Sequence, residues 1–215
     1  KGNVSEEQFE QFIEASKNLE MLPIEVIVRD YMTGSTETSI WPMYEQGKRN
    51  MYGHNFPDGL VKNQKLPSTI ITPTTKAAQG DHDAPITASE ILDTKLLSEK
   101  LWSEVCQKAH DLFALGREIA RKNGLILVDT KYEFGLDSNG ILTIADEIHT
   151  PDSSRYWIES SYQSRINNGK EPESLDKEFL RLWIVSRCDP YQEAIPKIPE
   201  ETLLTFSKKY VSLFE

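Results

Sequence analysis

Leu125-Ile-Leu-Val-Asp-Thr-Lys-Tyr-Glu-Phe-Gly135 begins as an apolar run and then alternates polar and aromatic residues, which is typical of a β-strand. A turn sequence follows at Asp137-Ser-Asn-Gly140, and residues 141–145 form a second strand-like run. The two runs are predicted to pair as a β-hairpin at the centre of the fold.

The charged residues of this hairpin are predicted to converge. Side chains of a strand point alternately to its two faces, so Asp129, Lys131 and Glu133 share one face. A two-residue turn would place Lys131 opposite Asp146 and bring a further carboxylate to that face, unless a bulge shifts the register. Several carboxylates around one lysine favour a bound cation or phosphate, and oxygen ligands suit magnesium. A solvated strand face with cross-strand ion pairs is the alternative.

The segment after the second strand supports a functional site. It reads Asp146-Glu-Ile-His-Thr-Pro-Asp-Ser-Ser-Arg155, in which two acids precede a loop of small hydroxyl residues and an arginine. Binding residues are often carried on such loops. Arg155 can hold a phosphate or carboxylate group through two parallel hydrogen bonds. For Asp152 and the serines, a plain surface loop with a capping aspartate is the alternative.

A second candidate group lies nearer the amino terminus. Arg29 is followed by Thr33-Gly34-Ser35, where glycine permits an anion to approach the backbone closely. Such turns are common, so this signal alone is weak. Glu25 within the apolar run 22–28 is more informative, because an unpaired buried carboxylate is costly.

A third and weaker group comprises Lys76 and Asp81-His-Asp83. His82 with Asp83 could form part of a metal site or an acid–base pair, and an exposed loop is the alternative. The other histidines have no spacing that indicates a function. Neither common type of glycine-rich phosphate loop is present in the sequence.

The remaining patterns predict a mixture of helices and strands, hence the α+β class. A capping-box sequence at residues 5–8 predicts a short helix at the start of the chain. A second one at residues 87–90 precedes helical periodicity that runs from residue 96 to Ile119 and ends at Asn123-Gly124. Further helices are predicted at residues 179–185 and 200–214. Residues 41–73 are rich in glycine, proline and asparagine, which indicates a long irregular excursion or a family-specific insertion.

The composition excludes several classes of protein. The chain has 215 residues, 38% of them hydrophobic and 27% charged, so it can form a core. A net charge of -10 argues against non-specific binding to nucleic acid or acidic membranes. Cys106 and Cys188 indicate thiols of a reducing compartment, although one disulfide between them is also compatible with the sequence. The cytoplasm is the expected location.

Two long motifs resemble the signatures of the SAICAR synthetase family of purine biosynthesis. The first is Met21-Leu-Pro-Ile-Glu-Val-Ile-Val-Arg29 with Thr33-Gly-Ser35, and the second is Leu127-Val-Asp-Thr-Lys-Tyr-Glu-Phe-Gly135. Two shorter blocks are also similar to the family, at residues 146–155 and at Lys76 with His82-Asp83. The resemblance runs in order to Trp157. Beyond it, Asp176-Lys-Glu-Phe-Leu-Arg-Leu-Trp183 fits the longer form of the family, whereas residues 41–67 depart from the short form.

The resemblance implies an ATP-dependent ligase, which joins L-aspartate to carboxyaminoimidazole ribonucleotide through an acyl phosphate and gives SAICAR, ADP and phosphate. It implies ATP and Mg2+ as cofactors and small molecules as partners, without nucleic acid or membrane.

The family fold, as the resemblance implies it, has a first lobe like the small lobe of a kinase. A larger α+β lobe follows, which is ATP-grasp-like and has an antiparallel sheet flanked by helices. Residues 1–215 are expected to be this carboxy-terminal lobe, because no strands with the glycine and lysine of the first lobe are found. The start at Lys1, without an initiator methionine, adds to the expectation that upstream residues have been removed.

The matching motifs imply metal-binding and catalytic roles for five residues. Glu133 and Asp146 are expected to be the magnesium ligands. Lys131 and Asp83 are expected to contact the reacting part of the substrate. Asp129 is a further catalytic candidate without a defined role.

The same motifs imply binding roles for another five residues. Arg29, Ser35 and Arg155 are expected around the ribonucleotide, mainly at its phosphate. Met21 is expected near adenine, and Lys76 near the nucleotide phosphates.

Two rival functions remain open from the sequence. One is another ATP-grasp-like ligase, or a small-molecule kinase, with a different acceptor. The other is a non-catalytic nucleotide-binding module. The ligase chemistry fits the residue types, because transfer between anions needs magnesium and cationic side chains rather than a Ser-His or Cys-His pair.

Overall fold

A computed structural model of the chain describes residues 5, 7, 10, 13, 18–36, 38–76, 83–190 and 192–214. Most of the predicted opening helix, with its capping box at residues 5–8, and also His82 lie outside these described residues. Within them the fold is α+β, as the sequence predicts, with an antiparallel sheet and flanking helices.

The strands are β1 (Glu20–Tyr31), β2 (Asn50–Met51), β3 (His54–Asn55), β4 (Lys65–Thr75), β5 (Leu125–Leu136), β6 (Leu142–Ala145) and β7 (Ser154–Ile158). In the main sheet every pair of described strands is antiparallel. The order is β4-β1-β5-β6, and β7 also pairs with β5. The outer side of β5 is therefore shared by two strands, with β6 along residues 133–136 and β7 along residues 125–130.

The helices are α1 (Ile40–Glu45), α2 (Ala88–Asp93), α3 (Glu99–Lys122), α4 (Glu159–Asn167), α5 (Glu178–Val185) and α6 (Glu200–Phe214). The long helix α3 packs on one face of the sheet through a stripe of buried residues that includes Trp102, Val105, Ala109 and Phe113. Burying this apolar stripe is the main favourable term in docking the helix. Ile119, which the predicted stripe also contains, is 52% exposed. No helix in the described ranges is both long and apolar enough to cross a membrane.

The single helix predicted to begin at the capping box of Thr87 is divided into two helices, α2 and α3. Thr87 caps α2 with the predicted capping box, in which Glu90 bonds back to the Thr87 N–H group. Lys95 then adopts a left-handed backbone with φ of 56°, which a right-handed helix cannot include, and Ser98 caps α3 afresh. The helix α3 ends as predicted, with Gly124 left-handed at φ of 70°.

The central hairpin forms, but the predicted register is wrong by one residue. Glu133 pairs with Ala145, whereas a two-residue turn would pair it with residue 144. The loop has three residues instead of two, because the Asp137 N–H donates to the Ile141 carbonyl at 3.0 Å. Gly140 in this loop is left-handed with φ of 75°. A turn that ends on a left-handed glycine is a common three-residue hairpin loop.

Asp146 nevertheless lies beside Lys131, because of its own backbone conformation and not because of the strand register. In the observed register, continued alternation would turn residue 146 toward the core side of Tyr132. Strand β6 ends at Ala145, and Asp146 adopts a left-handed φ of 62°. This backbone reversal accompanies the approach of its carboxylate to Lys131 on the other face.

Residues 41–73 contain regular secondary structure and are not the irregular excursion that the sequence suggests as one alternative. They include most of α1, the β2–β3 hairpin and much of a separate small apolar core, so this segment is folded. Residues 65–75 form β4 although they contain Pro67 and Pro73. Proline is tolerated here because β4 is the edge strand of the sheet.

Candidate active site

A cavity of about 340 Å³ opens on the face of the sheet opposite α3. Along β1, the even-numbered residues from 24 to 28 belong to the core beneath α3, whereas Glu25, Ile27 and Arg29 line the cavity. The period-two alternation of the strand thus presents an apolar face to the helix and a charged face to the cavity. The other walls come from β5, residues 152–155, the start of α5 and three hydroxyl residues, Thr36, Thr38 and Ser39.

Three charged residues from three adjacent strands form what we call the arginine cluster: Arg29, Asp129 and Arg155. In the sheet register, Asp129 faces Arg29 of β1 on one side and Arg155 of β7 on the other. Nη1 of Arg29 lies 2.8 Å, and Nη1 of Arg155 lies 2.6 Å, from the same Oδ2 atom of Asp129. The Nε of Arg29 also donates to the Thr72 hydroxyl at 2.8 Å. The cluster is therefore held rigidly by the sheet.

Within the arginine cluster two guanidinium groups share one carboxylate, and Glu178 lies 3.6 Å from Arg155 as a further acid. Burial lowers the pKa of Arg29, and Asp129 opposes this shift. Burial also acts to lower the pKa of Arg155, but Asp129 and neighbouring acids outweigh it and raise that pKa. Nε of Arg155 is buried and has no hydrogen-bond partner among the described residues. A buried donor without a partner costs about 1–3 kcal/mol. The cluster is thus suited to an anion that accepts a hydrogen bond.

A second group, which we call the lysine cluster, consists of Glu25, Lys76, Lys131, Glu133 and Asp146. Nζ of Lys131 lies 2.7 Å from Oε1 of Glu133 and 3.0 Å from Oε1 of Glu25. Asp146 is farther away, with 3.6 Å between its Oδ2 and the same Nζ. The other carboxylate oxygen of Glu133 forms an ion pair with Nζ of Lys76. The predicted convergence is therefore present for Lys131, Glu133 and Asp146, whereas Asp129, predicted to join them, pairs with Arg29 and Arg155 instead.

The lysine cluster shifts the pKa values of its two glutamates in opposite directions. Burial acts to raise the pKa of Glu133, but the hydrogen bonds from Lys131 and Lys76 outweigh it and lower that pKa to about 2. Burial raises the pKa of Glu25, with Lys131 opposing the shift. For Lys131, burial acts to lower the pKa, and the bonds to Glu133 and Glu25 raise it overall. At neutral pH the cluster therefore holds an ionised Glu133 beside a protonated Lys131.

The lysine cluster fits magnesium only when part of the ligand set comes from elsewhere. Among the described residues, no group of three or more His, Cys, Asp or Glu side chains is arranged to hold a metal by itself. Magnesium usually takes one or two carboxylates together with substrate phosphates and water, which Glu133 and Asp146 can satisfy. The Asp146 side chain is 46% exposed, whereas both oxygens of Glu133 contact lysine ammonium groups. Direct ligation by Glu133 therefore requires a lysine to move.

The other predicted site residues are divided between the cavity and its surroundings. Asp83 lines the cavity and, by its charge, raises the pKa of Glu25. Ser35 is exposed and donates a hydrogen bond to Glu178 at the start of α5. Met21 lies near the opposite end of β1, where it is 40% exposed and does not line the cavity.

The sequence reasoning missed the acids that support Arg155. Asp176 is buried, and its two carboxylate oxygens accept the N–H groups of Tyr156 and Glu178, each at 2.8 Å. Burial raises the pKa of Asp176 to about 6, with these backbone hydrogen bonds opposing the shift. Glu178 lies 3.6 Å from Arg155 and 2.7 Å from Arg181. An aspartate just before a predicted helix is a capping signal that could have identified this wall.

The hydroxyl residues Thr36, Thr38 and Ser39 of the cavity wall were also missed. Gly34 precedes them with φ of 116°, and a Cβ atom at Gly34 would overlap with Cβ and Oγ of Ser39. Thr36 Oγ1 and Ser39 Oγ are 2.8 Å apart, and the Tyr52 hydroxyl donates to the Thr38 carbonyl. The folded segment at residues 41–73, through Tyr52, therefore supports a hydroxyl-rich wall in the same cavity as Arg29.

The fold and the cavity define an α+β protein with a buried arginine cluster beside an acid-and-lysine cluster. Residues 5–198 match the family described as SAICAR synthetase. The phosphoribosylaminoimidazole-succinocarboxamide synthase of Legionella pneumophila (strain Paris) is 51% identical over 201 residues, which cover 93% of this chain and 64% of that protein. The chain belongs to the SAICAR synthetase family.

Solved structures agree with this relationship. The SAICAR-synthase of Saccharomyces cerevisiae, determined with SAICAR, is 32% identical with a TM-score of 0.71, and the match covers 92% of this chain and 60% of that one. A type-2 SAICAR synthetase in complex with ADP has a TM-score of 0.63 at 24% identity, covering 92% and 63% of the two chains, and shows the shared fold alone. The chain spans less than two thirds of the length of these three relatives.

Proposed function

We propose that this chain carries the acceptor-binding and metal-binding part of an ATP-dependent ligase of purine biosynthesis. The ligase joins L-aspartate to carboxyaminoimidazole ribonucleotide and releases SAICAR, ADP and phosphate. The observation that carries the proposal is the arrangement of the two clusters on one face of the sheet. Asp129 and Lys131 are two residues apart on β5, a rise of about 7 Å, so one substrate can contact both clusters.

The arginine cluster is the proposed site for the 5′-phosphate of the ribonucleotide. The guanidinium groups of Arg29 and Arg155 both line the cavity, and Nε of Arg155 is a buried donor without a described partner. Charge-assisted hydrogen bonds from arginine to phosphate are among the strongest polar contacts in proteins. Ser35 and the hydroxyl-rich wall of Thr36, Thr38 and Ser39 supply further donors near the same end.

The lysine cluster is the proposed site of chemistry. A carboxylate oxygen of the ribonucleotide attacks the γ-phosphorus of ATP, and ADP leaves. The amine of aspartate then attacks the carbonyl carbon of the acyl phosphate, inorganic phosphate leaves, and the nitrogen loses a proton. Lys131, which stays protonated, neutralises charge that develops on the transferred group, and Lys76 assists at the nucleotide phosphates. Magnesium bound by Glu133 and Asp146 would neutralise further phosphate charge.

The remaining expectations about the whole protein stay predictions. We infer that residues 1–215 are the carboxy-terminal lobe and that a kinase-small-lobe-like domain, outside this sequence, covers the nucleotide. The exposed Met21, at the end of β1 away from the arginine cluster, is the proposed contact for adenine. Small molecules are the predicted partners, and the cytoplasm is the predicted location.

The function is tested by measuring ADP release from the full-length protein in four mixtures. These contain ATP alone, ATP with the ribonucleotide, ATP with aspartate, and all three together. The proposal requires ADP only when ATP, the ribonucleotide and aspartate are all present, with SAICAR formed in equal amount. ATP turnover that needs neither acceptor substrate would exclude this ligase. Turnover with a different phosphorylated acid would favour another ligase or a small-molecule kinase, and nucleotide binding without any product would favour a non-catalytic module.

A further inference from the structure

His149 lies in the loop between β6 and β7, yet its side chain reaches the interior of the protein. The imidazole is seated directly on the backbone of α3 at Gly116. A Cβ atom at that position would lie 2.6 Å from Nδ1 and 2.7 Å from Nε2 of the ring, which is closer than real atoms approach. Glycine at position 116 therefore leaves the space that the histidine ring occupies.

Two tyrosine hydroxyls bind the same histidine. The hydroxyl of Tyr132 and Nε2 of His149 form a hydrogen bond, and Tyr132 is completely buried in the main core. A buried hydroxyl requires a partner, so this bond fixes the ring as well as the tyrosine. The carbonyl oxygen of His149 accepts a second hydrogen bond, at 2.8 Å, from the hydroxyl of Tyr156. Elements α3, β5 and β7 thus hold one loop residue.

The loop that His149 anchors has an unfavourable backbone. Asp146 has φ of 62° and His149 has φ of 56°, both in the left-handed region that side chains other than glycine rarely adopt. Such conformations persist only where surrounding contacts impose them. Since Asp146 itself is exposed and has a long 3.6 Å contact with Lys131, the contacts that fix the loop are those of His149 and of residues 150–154.

We propose that His149 is a positioning residue, which holds the loop 146–153 on the core so that Asp146 stays beside Lys131. The link to magnesium rests on the proposed function, because it requires Asp146 to be a ligand. The link between His149 and the order of the loop does not depend on that function.

The first test measures loop order by hydrogen exchange in the full-length protein without ligands. The Lys131 N–H donates to the Ser153 carbonyl at 2.9 Å, and the Ser154 N–H donates to the Thr150 carbonyl at 3.0 Å, so these amides report on the loop. In His149→Ala, exchange at these amides is expected to be about tenfold faster than in the wild type, with α3 unchanged. Ile148→Ala is the matched control, since Ile148 is in the same loop and 42% exposed.

Two further variants disrupt the contacts of His149 by changing its partners, Gly116 and Tyr132. Gly116→Ala places a methyl group where the imidazole lies, and Tyr132→Phe removes only the hydroxyl and keeps the ring. Each is expected to accelerate amide hydrogen exchange in the loop. The proposal can therefore still be tested if His149→Ala does not fold. Unchanged loop exchange in folded Gly116→Ala and Tyr132→Phe proteins would overturn the proposal.

The second test is the magnesium dependence of turnover. In His149→Ala the magnesium concentration for half-maximal rate is expected to rise about tenfold, as for other residues that orient a metal ligand. KM for the ribonucleotide, which the arginine cluster binds, is expected to change less than about twofold, because that cluster does not contact the loop anchor. Faster loop exchange with a normal magnesium requirement would support the anchoring role of His149 and show that Asp146 is not the ligand.

Discussion

Arg29 and Arg155 belong to strands on opposite sides of β5, and their guanidinium groups meet on a single carboxylate oxygen of Asp129. Two positive charges so close together in a buried place require that carboxylate. Asp129 is therefore as important for keeping the arginines in place as for any contact with a substrate.

Replacing Asp129 is expected to destabilise the protein strongly. In Asp129→Ala both buried guanidinium groups lose their common partner, and breaking a buried ion pair in this way costs about 3–5 kcal/mol. The measurement is the free energy of unfolding in denaturant. Asp58→Ala is the control, because the Arg49–Asp58 pair is exposed and should change that free energy by less than about 1 kcal/mol. Equal effects of the two substitutions would contradict the assignment.

Removing the charge of a proposed magnesium ligand is expected to abolish turnover without unfolding the protein. Asp146→Asn is the cleaner variant, because asparagine tolerates the left-handed backbone that position 146 requires. Its rate is expected to fall about 100-fold, partly recovered at high magnesium concentration. Glu133→Gln should lose turnover as well. A near-normal rate in either variant, measured at limiting magnesium, would show that the residue is not a ligand.

The ion pairs of Glu133 predict how stability depends on pH. The pKa of Glu133 in the folded protein is about 2, below its ordinary value of 4.5. Its ionised form therefore contributes stability above about pH 4.5, and that contribution is lost as the pH falls from about 4.5 to 2. Unfolding free energies measured across this range should fall more steeply for the wild type than for Glu133→Gln. Parallel curves would show that Lys131 and Lys76 do not stabilise this carboxylate.

A pair of glycine substitutions can test whether the hydroxyl-rich wall near Arg29 contributes to binding of the ribonucleotide. Gly34 and Gly59 both have positive φ, of 116° and 85°, so alanine is strained at either position by about 1–2 kcal/mol. Only at Gly34 does the added methyl group collide with a neighbour, Ser39, whereas nothing lies within 4 Å at Gly59. Gly34→Ala is therefore expected to raise KM for the ribonucleotide, and Gly59→Ala to leave it unchanged. A similar KM in both variants would exclude a binding role for this wall.

Local patterns predicted the secondary structure around the site well. The alternation in β5, the capping box at Thr87 and the left-handed Gly124 all depend on neighbours in sequence, and all three are present. Strand β4 was missed because Pro67 and Pro73 normally interrupt strands, and only its edge position makes them acceptable.

Long-range features of the site were harder to infer. The proximity of Lys131 and Asp146 was predicted from a register that is wrong by one residue, and the left-handed backbone at Asp146 offsets the error. Asp176 contacts the site only through the folding of α5 against β7, which no local pattern encodes. His149 gave no signal either, since its partner Gly116 lies on a different element.

The shared outer side of β5 sets a limit on the length of the loop between β6 and β7. Strand β6 ends opposite Glu133 and β7 begins opposite Thr130, so the eight residues 146–153 span a fixed gap at the level of Lys131. An insertion or deletion there would have to bulge outward or shift β7 along β5, and a shift would move Arg155 away from Asp129. Natural variation in this family should therefore spare the length of this loop more than that of residues 41–64, which precede β4.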